Sequence, residues 1–250
     1  MYKFAVITAL AALTVFAPWA SAQAPGAENG TKSVTEELQE MEKRSAERLP
    51  AELVEAGKKA EIEIRDSGIL DSALNVGAAM PVFSLKDEFD KDVSSNDLLK
   101  KGHIVLVFYR GAWCPYCNLY LRGLQRSLGE FRERGAQLVA ISVEPADRSL
   151  KVVKDNKLEY TVLSDPGLAT ARKFGIVYTL PEALDSAAKQ RGFDIGKYNG
   201  TEKSELPVSA TYVVSKEGKI EFAFLDVDYK KRAAPADIIE VLDRINGAKD

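Results

Sequence analysis

The stretch Ile104–Phe131, I-V-L-V-F-Y-R-G-A-W-C-P-Y-C-N-L-Y-L-R-G-L-Q-R-S-L-G-E-F, decides the fold. Its first six residues, Ile104 to Tyr109, form an unbroken apolar and β-rich run, the pattern of a strand buried on both faces. After the short turn Arg110-Gly111-Ala112-Trp113 the period changes. Cys114, Cys117, Leu121, Leu124, Leu128 and Phe131 then recur at alternating steps of three and four, one stripe of an α-helix. Asn118, Arg122, Arg126 and Arg132 fall off that stripe. Two cysteines therefore open a helix directly after a central strand.

That placement has a chemical consequence. The first turn of a helix carries unpaired N–H groups and a partial positive charge, which favour an anion such as a thiolate, the reactive form of cysteine. Pro115 fits the helix start, where its missing N–H costs little. Cys114, at the tip, is expected to be the more accessible sulfur. Cys117, one turn in and on the core-facing stripe, lies within disulfide reach, so the pair suits an attacking and a resolving sulfur.

Toward the amino terminus, Met1-Tyr2-Lys3 is a short basic start, Phe4 to Phe16 is almost wholly apolar, and Ala20-Ser21-Ala22 has the A-x-A form of a cleavage site. Residues 1–22 are read as a secretory signal peptide, cut before Gln23, and the mature chain as exported, in a bacterial setting to the periplasm. No other run is long enough to span a bilayer, so no stable membrane insertion is expected after cleavage. Net charge is −3 with no basic tract, which argues against nucleic acid as a partner. An exported chain with only two cysteines, three positions apart, makes poor use of a structural disulfide, since so short a loop gains little from closure. With His103 as the single histidine, the ligands for a structural zinc are lacking, and Asn118 stands where a c-type haem motif requires histidine. Redox work at the pair remains.

Residues 23–32 are small and polar, a linker. Residues 33–73 read as a helical extension, one helix over Val34–Leu49 and a second from Pro50 to about Ile64, stopped at Gly68. This extension is expected to be solvated, with packing on the core or pairing of two chains as alternatives. The domain proper spans 74–247. Val82–Leu85 reads as a strand, Lys86–Asp92 as a charged turn, and Ser94 or Ser95 as the cap of a short helix. Beyond the cysteine helix come a strand at Leu138–Val143, a helix over Asp147–Lys157, a strand at Tyr160–Leu163 and a helix over Leu168–Phe174. A hairpin joins Ala210–Ser215 to Lys219–Leu225 through Lys216-Glu217-Gly218, and an amphipathic helix starts at Pro235. Alternating strands and helices imply an α/β fold with a central sheet flanked by helices. Residues 175–206 show no period and are expected to be an irregular insertion, with two alternatives open: its aromatics, Tyr178, Phe193 and Tyr198, pack at the rim of the site, or it is a surface excursion.

The order of elements with W-C-x-x-C after the first long strand resembles the thioredoxin fold, with a mixed sheet. F-Y-R-G-A-W-C-P-Y-C-N-x-x-L-R is similar to the peroxiredoxin-like branch of the alkyl hydroperoxide reductase and thiol-specific antioxidant family, as are F-G-I-V-Y-T-L-P-E at 174–182 and L-P-V-S-A-T-Y-V-V at 206–214. The resemblance implies an antioxidant thiol peroxidase that needs no metal, flavin or haem. Its substrate is a hydroperoxide, and an external thiol reductant such as a thioredoxin-like protein restores it. Two departures stand out. Laid on P-x-x-x-T-x-x-C, Arg110 replaces the proline and Cys114 the threonine, while Cys117 takes the peroxidatic place. By thioredoxin logic Cys114 attacks instead, so both assignments stay open, with exposure favouring Cys114. The position that faces the cysteines before the hairpin strand, proline in thioredoxins and arginine in peroxiredoxins, is Ser209, close to Thr211. Arg110 is a candidate to stabilise thiolate and the departing oxygen, Trp113 to limit water access, and Tyr116 to tune the pair. Asp165 reads as a turn aspartate. Two other functions remain: a thiol–disulfide oxidoreductase for exported proteins, and a redox-inert binding module.

Overall fold

The computed structural model describes residues 32–247; the expected leader and nearly all of the linker lie outside the described residues. The elements in chain order are α1 (Val34–Arg48), α2 (Ala51–Asp66), α3 (Ile69–Ser72), β1 (Ser84–Asp87), β2 (Asp92–Ser94), α4 (Ser95–Lys101), β3 (His103–Tyr109), α5 (Pro115–Arg126), α6 (Leu128–Glu133), β4 (Ala136–Ser142), α7 (Ala146–Asn156), β5 (Thr161–Ser164), α8 (Ala169–Lys173), β6 (Val177–Thr179), α9 (Glu182–Gln190), α10 (Ile195–Asn199), β7 (Glu205–Pro207), β8 (Ser209–Val214), β9 (Ile220–Asp226) and α11 (Pro235–Gly247).

Seven strands form one mixed sheet in the order β2-β1-β5-β4-β3-β8-β9. β3, β4 and β5 run parallel, in register from His103↔Ala136 and Val139↔Thr161, whereas β8 pairs antiparallel with β3 and with β9. Every residue of β3 is buried, as its apolar run requires. Ile104, Leu106 and Phe108 enter one core, and Val105, Val107 and Tyr109 the other, so the strand alternates between two filled faces. The cysteine helix lies on the second face. Its stripe is as expected, but the helix is not continuous: at Ser127 the backbone N–H turns to Leu124 and Gln125 carbonyls, α5 stops, and α6 restarts with Leu128 and Phe131 still buried. The break keeps Leu128 and Phe131 in the core on the cysteine face.

Two other expectations are corrected. The helical extension is not merely solvated: α1, closed by a Ser33–Glu36 capping box, buries Val34 and Leu38 in the cysteine-face core. It comes so near α5 that a Cβ on Gly123 would lie 2.3 Å from Val34 Cγ2. Ile64 of α2 joins the opposite core. Residues 175–206 are regular rather than irregular. β6 and β7 pair antiparallel from Val177↔Pro207 to Thr179↔Glu205, and α9 and α10 fill the excursion between them. The elements are each too short for a period to show. In the β1 region the charged turn is narrower than expected, because Asp90 takes a left-handed φ of 63° and lets Asp92–Ser94 pair back on β1.

Candidate active site

The site begins where β3 ends. Arg110 leaves the strand buried, and Gly111 follows with φ 143°, a conformation open to glycine. A Cβ there would meet Trp113 Nε1 at 2.6 Å and Glu144 Cδ at 3.0 Å. The turn is then stapled from two sides. Glu144, at the end of β4, accepts the Ala112 N–H at 2.5 Å, and Asn118 Nδ2 donates to the carbonyls of Ala112 (2.7 Å) and Cys114 (3.1 Å). Cys114 is the residue that caps α5, with Pro115 at its first position, as the spacing requires. Cys117 lies one turn in.

The expected difference in exposure is absent. Cys114 and Cys117 are free thiols, each only 1% exposed, so Cys114 is not the accessible partner. The charges around them distinguish the two instead. Burial disfavours a thiolate at Cys117, but the Cys114 thiol donates to its sulfur, and Arg232 and Arg110 face it, so its pKa is driven below the ordinary thiol value. Arg232 Nη2 reaches Cys117 Sγ at 3.4 Å. Burial and the Cys117 sulfur together push the Cys114 thiol well up. The surrounding charges thus favour the thiolate at Cys117 over Cys114, whereas position along the helix favours Cys114.

Aromatic rings hold the cations in place. The Arg110 guanidinium lies 4.0 Å from the Tyr229 ring centroid and 4.9 Å from that of Trp113. Tyr116 packs edge-on against Tyr229 at 5.5 Å, beside the ring that lies against Arg110. Arg232 sits over the Tyr120 ring and donates to the Tyr229 and Lys231 carbonyls. Thr211 reaches this network through the Tyr120 hydroxyl at 3.2 Å. Ser209, two residues earlier on β8, is buried with its hydroxyl unpartnered. Trp113 packs edge-on against Phe193 at 5.1 Å, with Tyr198 tilted against Phe193 at 4.9 Å, so two aromatics of 175–206 lie beside the turn that carries Cys114. Asp165 accepts the N–H groups of Thr170 and Ala171 and is a structural turn residue.

Buried polar atoms without partners gather here: Arg110 Nε, Trp113 Nε1, Glu144 Oε1 and Ser209 Oγ. Each costs about 1–3 kcal/mol of unrecovered desolvation, a concentration typical of a site that binds something polar. Sequence reasoning missed Arg232, Tyr229, Tyr120 and Glu144. The first two sit in a short polar link, Tyr120 is one apolar residue among many on its helix, and Glu144 follows a buried strand with no motif around it. Among the described residues no group of three or more His, Cys, Asp or Glu side chains is placed to hold a metal ion.

Comparisons with known proteins agree with this arrangement. The sequence model of the AhpC/TSA family matches residues 76–223. The chain is 27% identical over 158 residues to the chloroplastic peroxiredoxin Q of Triticum aestivum, covering 63% of this chain and 62% of that one. It is 26% identical over 154 residues to peroxiredoxin Bcp of Escherichia coli K12, covering 61% of this chain and 86% of the relative. The match thus spans a little under two thirds of the wheat protein's length. Among solved structures, the peroxidoxin BcpB of Mycobacterium tuberculosis superposes with a TM-score of 0.55 at 22% identity, over 69% of this chain and 98% of that one. Peroxiredoxin 6 of Arenicola marina gives 0.58 at 18%, over 71% and 76%. At such identities these structures speak for the fold alone, which is the thioredoxin-like fold that the element order implied. With a family match across most of the domain and a cysteine pair at the start of α5, the chain belongs to the AhpC/TSA family, in its peroxiredoxin-like, thioredoxin-fold form.

Proposed function

We propose that this protein is a thiol peroxidase in which Cys117 is the attacking sulfur and Cys114 the resolving one. The observation that carries the reading is the charge asymmetry of the pair: Arg232 at 3.4 Å, with Arg110 and the Cys114 thiol, stabilises a Cys117 thiolate. That thiolate attacks a hydroperoxide and becomes a sulfenic acid, and Cys114 condenses with it to a disulfide. The unpartnered donors Arg110 Nε, Trp113 Nε1 and Ser209 Oγ are suited to hold the peroxide oxygens. With both sulfurs buried, reactant enters only when a covering side chain, Trp113 foremost, moves aside. An external dithiol protein closes the cycle, and residues 1–22 direct the chain out of the cytoplasm, to the periplasm in a bacterial host. Among the described residues no helix is long and apolar enough to cross a membrane.

Burial at 1% in the reduced pair weighs against the competing thiol–disulfide oxidoreductase, because a protein disulfide must bring its own sulfur up to the attacking one, and reduction by an external dithiol requires the oxidised pair to become uncovered first. The test is a stopped-flow measurement of free-thiol loss in reduced protein, mixed with hydrogen peroxide or with a protein disulfide. Fast loss with peroxide and slow exchange with disulfide is expected. Cys117→Ser should abolish the first step, while Cys114→Ser still consumes one thiol and stops at the sulfenic acid. The reverse order of rates, or survival of the fast step in Cys117→Ser, rejects the assignment.

A further inference from the structure

Glu144 is a carboxylic acid that nothing so far has used. It is fully buried at 0% exposure, one oxygen accepts the Ala112 N–H, and the other, Oε1, has no hydrogen-bond partner. Trp113 Nε1, a buried donor also without a partner, lies on the same spot beside Gly111 that a Cβ would fill, 2.6 Å from it against 3.0 Å for the Glu144 carboxyl carbon. An orphan donor and an orphan acceptor therefore flank the turn that carries Cys114. The charged groups facing Glu144 from the packed elements are few. Arg148 of α7 stands at 3.8 Å from Oε1, with Asp147 beyond it, Cys117 acts from α5, and the Tyr109 hydroxyl from β3. Burial, opposed by the Ala112 N–H and Arg148 but reinforced by Cys117 and Asp147, pushes the carboxyl up to about 7.

We propose that Glu144 is a positioning residue whose protonation is linked to the redox state of the Cys114–Cys117 pair, holding a proton while Cys117 is a thiolate and releasing it when that charge is lost. The inference rests on the dithiol cycle proposed above. The balance of the reaction requires such a proton. Attack of the Cys117 thiolate on a hydroperoxide forms an S–O bond and breaks O–O. The sulfur loses two electrons, the peroxide gains them, and the departing alkoxide must take up one proton. The second step forms S–S, breaks S–O and releases water, using the proton of the Cys114 thiol, so it needs none from elsewhere. The oxidative half of the cycle thus takes up one proton as the negative charge at Cys117 disappears, and reduction of the disulfide returns it. Glu144 touches neither sulfur and acts through the field at Cys117 and through its hold on Ala112. Once the thiolate is gone, the carboxylate keeps Arg148 as its ion-pair partner and gains Trp113 Nε1 as a donor within reach.

The experiment is the dithiol–disulfide equilibrium of the protein against dithiothreitol, measured from pH 6 to 8 in wild type and in Glu144→Gln, which keeps an acceptor for Ala112 and cannot titrate. Reduction restores the Cys117 thiolate and releases one proton, so a proton taken back by Glu144 offsets it and flattens the pH dependence of the wild-type constant, by up to tenfold per pH unit for a full proton. The change in the variant across the range should exceed that of wild type by on the order of threefold or more, and a tenfold excess corresponds to about 30 mV. Equal steepness overturns the inference. If no Cys114–Cys117 disulfide forms in wild type, the dithiol cycle itself fails, a distinct result. A second reading needs no variant: infrared difference spectra of wild type at pH 7 should show a protonated carboxyl band that is lost on oxidation, and an unchanged band refutes the linkage.

Discussion

Arg232 carries the assignment of roles within the pair, so its removal is the most informative perturbation. Its Nη2 donates to Cys117 Sγ at 3.4 Å from a point 115 residues away in the chain, and its guanidinium is fixed by the Tyr229 and Lys231 carbonyls and by the Tyr120 ring. A hydrogen bond to a charged partner contributes about 1.5–3 kcal/mol. At 1.36 kcal/mol per pKa unit, its loss raises the Cys117 midpoint by about one to two units. Arg110 remains, and in the Cys114→Ser background of the assay a hydroxyl stands in for the Cys114 thiol as donor, so the shift is not larger. Arg232→Gln keeps polar bulk and removes the charge, while Arg232→Lys keeps the charge without the planar fork and should recover part of the shift. The assay is the rate of alkylation by iodoacetamide as a function of pH, in a Cys114→Ser background so that one sulfur is read. A midpoint in Arg232→Gln that stays where it was would refute the argument, for it would mean that Arg110 and the neighbouring donor at position 114 set the titration without Arg232. A midpoint near the ordinary thiol value already in the parent would refute it more directly.

Phe193→Ala removes the ring at 5.1 Å from Trp113 and should free the indole, so that a bulky maleimide labels the reduced pair several-fold faster at constant stability of the sheet; unchanged labelling would place the entrance elsewhere. Gly123→Ala puts a methyl 2.3 Å from Val34 Cγ2 and should cost about 1–3 kcal/mol of overpacking, read by denaturant unfolding, with little loss if α1 is removed together with it. The lowered Cys117 pKa has a sign for stability as well. Below the unfolded thiol's pKa of about 8.5 the unfolded chain binds more protons than the folded one, so reduced protein should gain stability as pH rises from the folded midpoint toward that value. Cys117→Ser should lack that rise when both are followed by urea midpoints across pH.

How much of this was legible in the chain depends on how local each cause is. The double burial of Ile104–Tyr109, the helix opened by Cys114-Pro115 and the final hairpin follow from patterns of a few residues, and each lies where its pattern puts it. The interior of 175–206 does not, because strands of three residues and helices of five and nine hold too little sequence to show a period. α1 is a similar case. Its mean composition is that of a solvated helix, and what seats it is a single glycine on another helix, Gly123, whose missing side chain makes room for Val34.

The roles of the two sulfurs show the limit most clearly. Along the chain Cys114 and Cys117 differ only in distance from the helix tip, and that criterion picks Cys114. In space the tip is covered, so the helix end offers both sulfurs the same direction of field and neither of them water. What separates them is a cation delivered from the link before α11, together with a thiol–thiol hydrogen bond that must lower one pKa as it raises the other. A buried thiolate without such a partner would simply protonate. On the proposed assignment the order of attack is set by where Arg232 lands, and a chain with the same W-C-x-x-C and a neutral residue at that place should keep the fold while losing the distinction between its sulfurs.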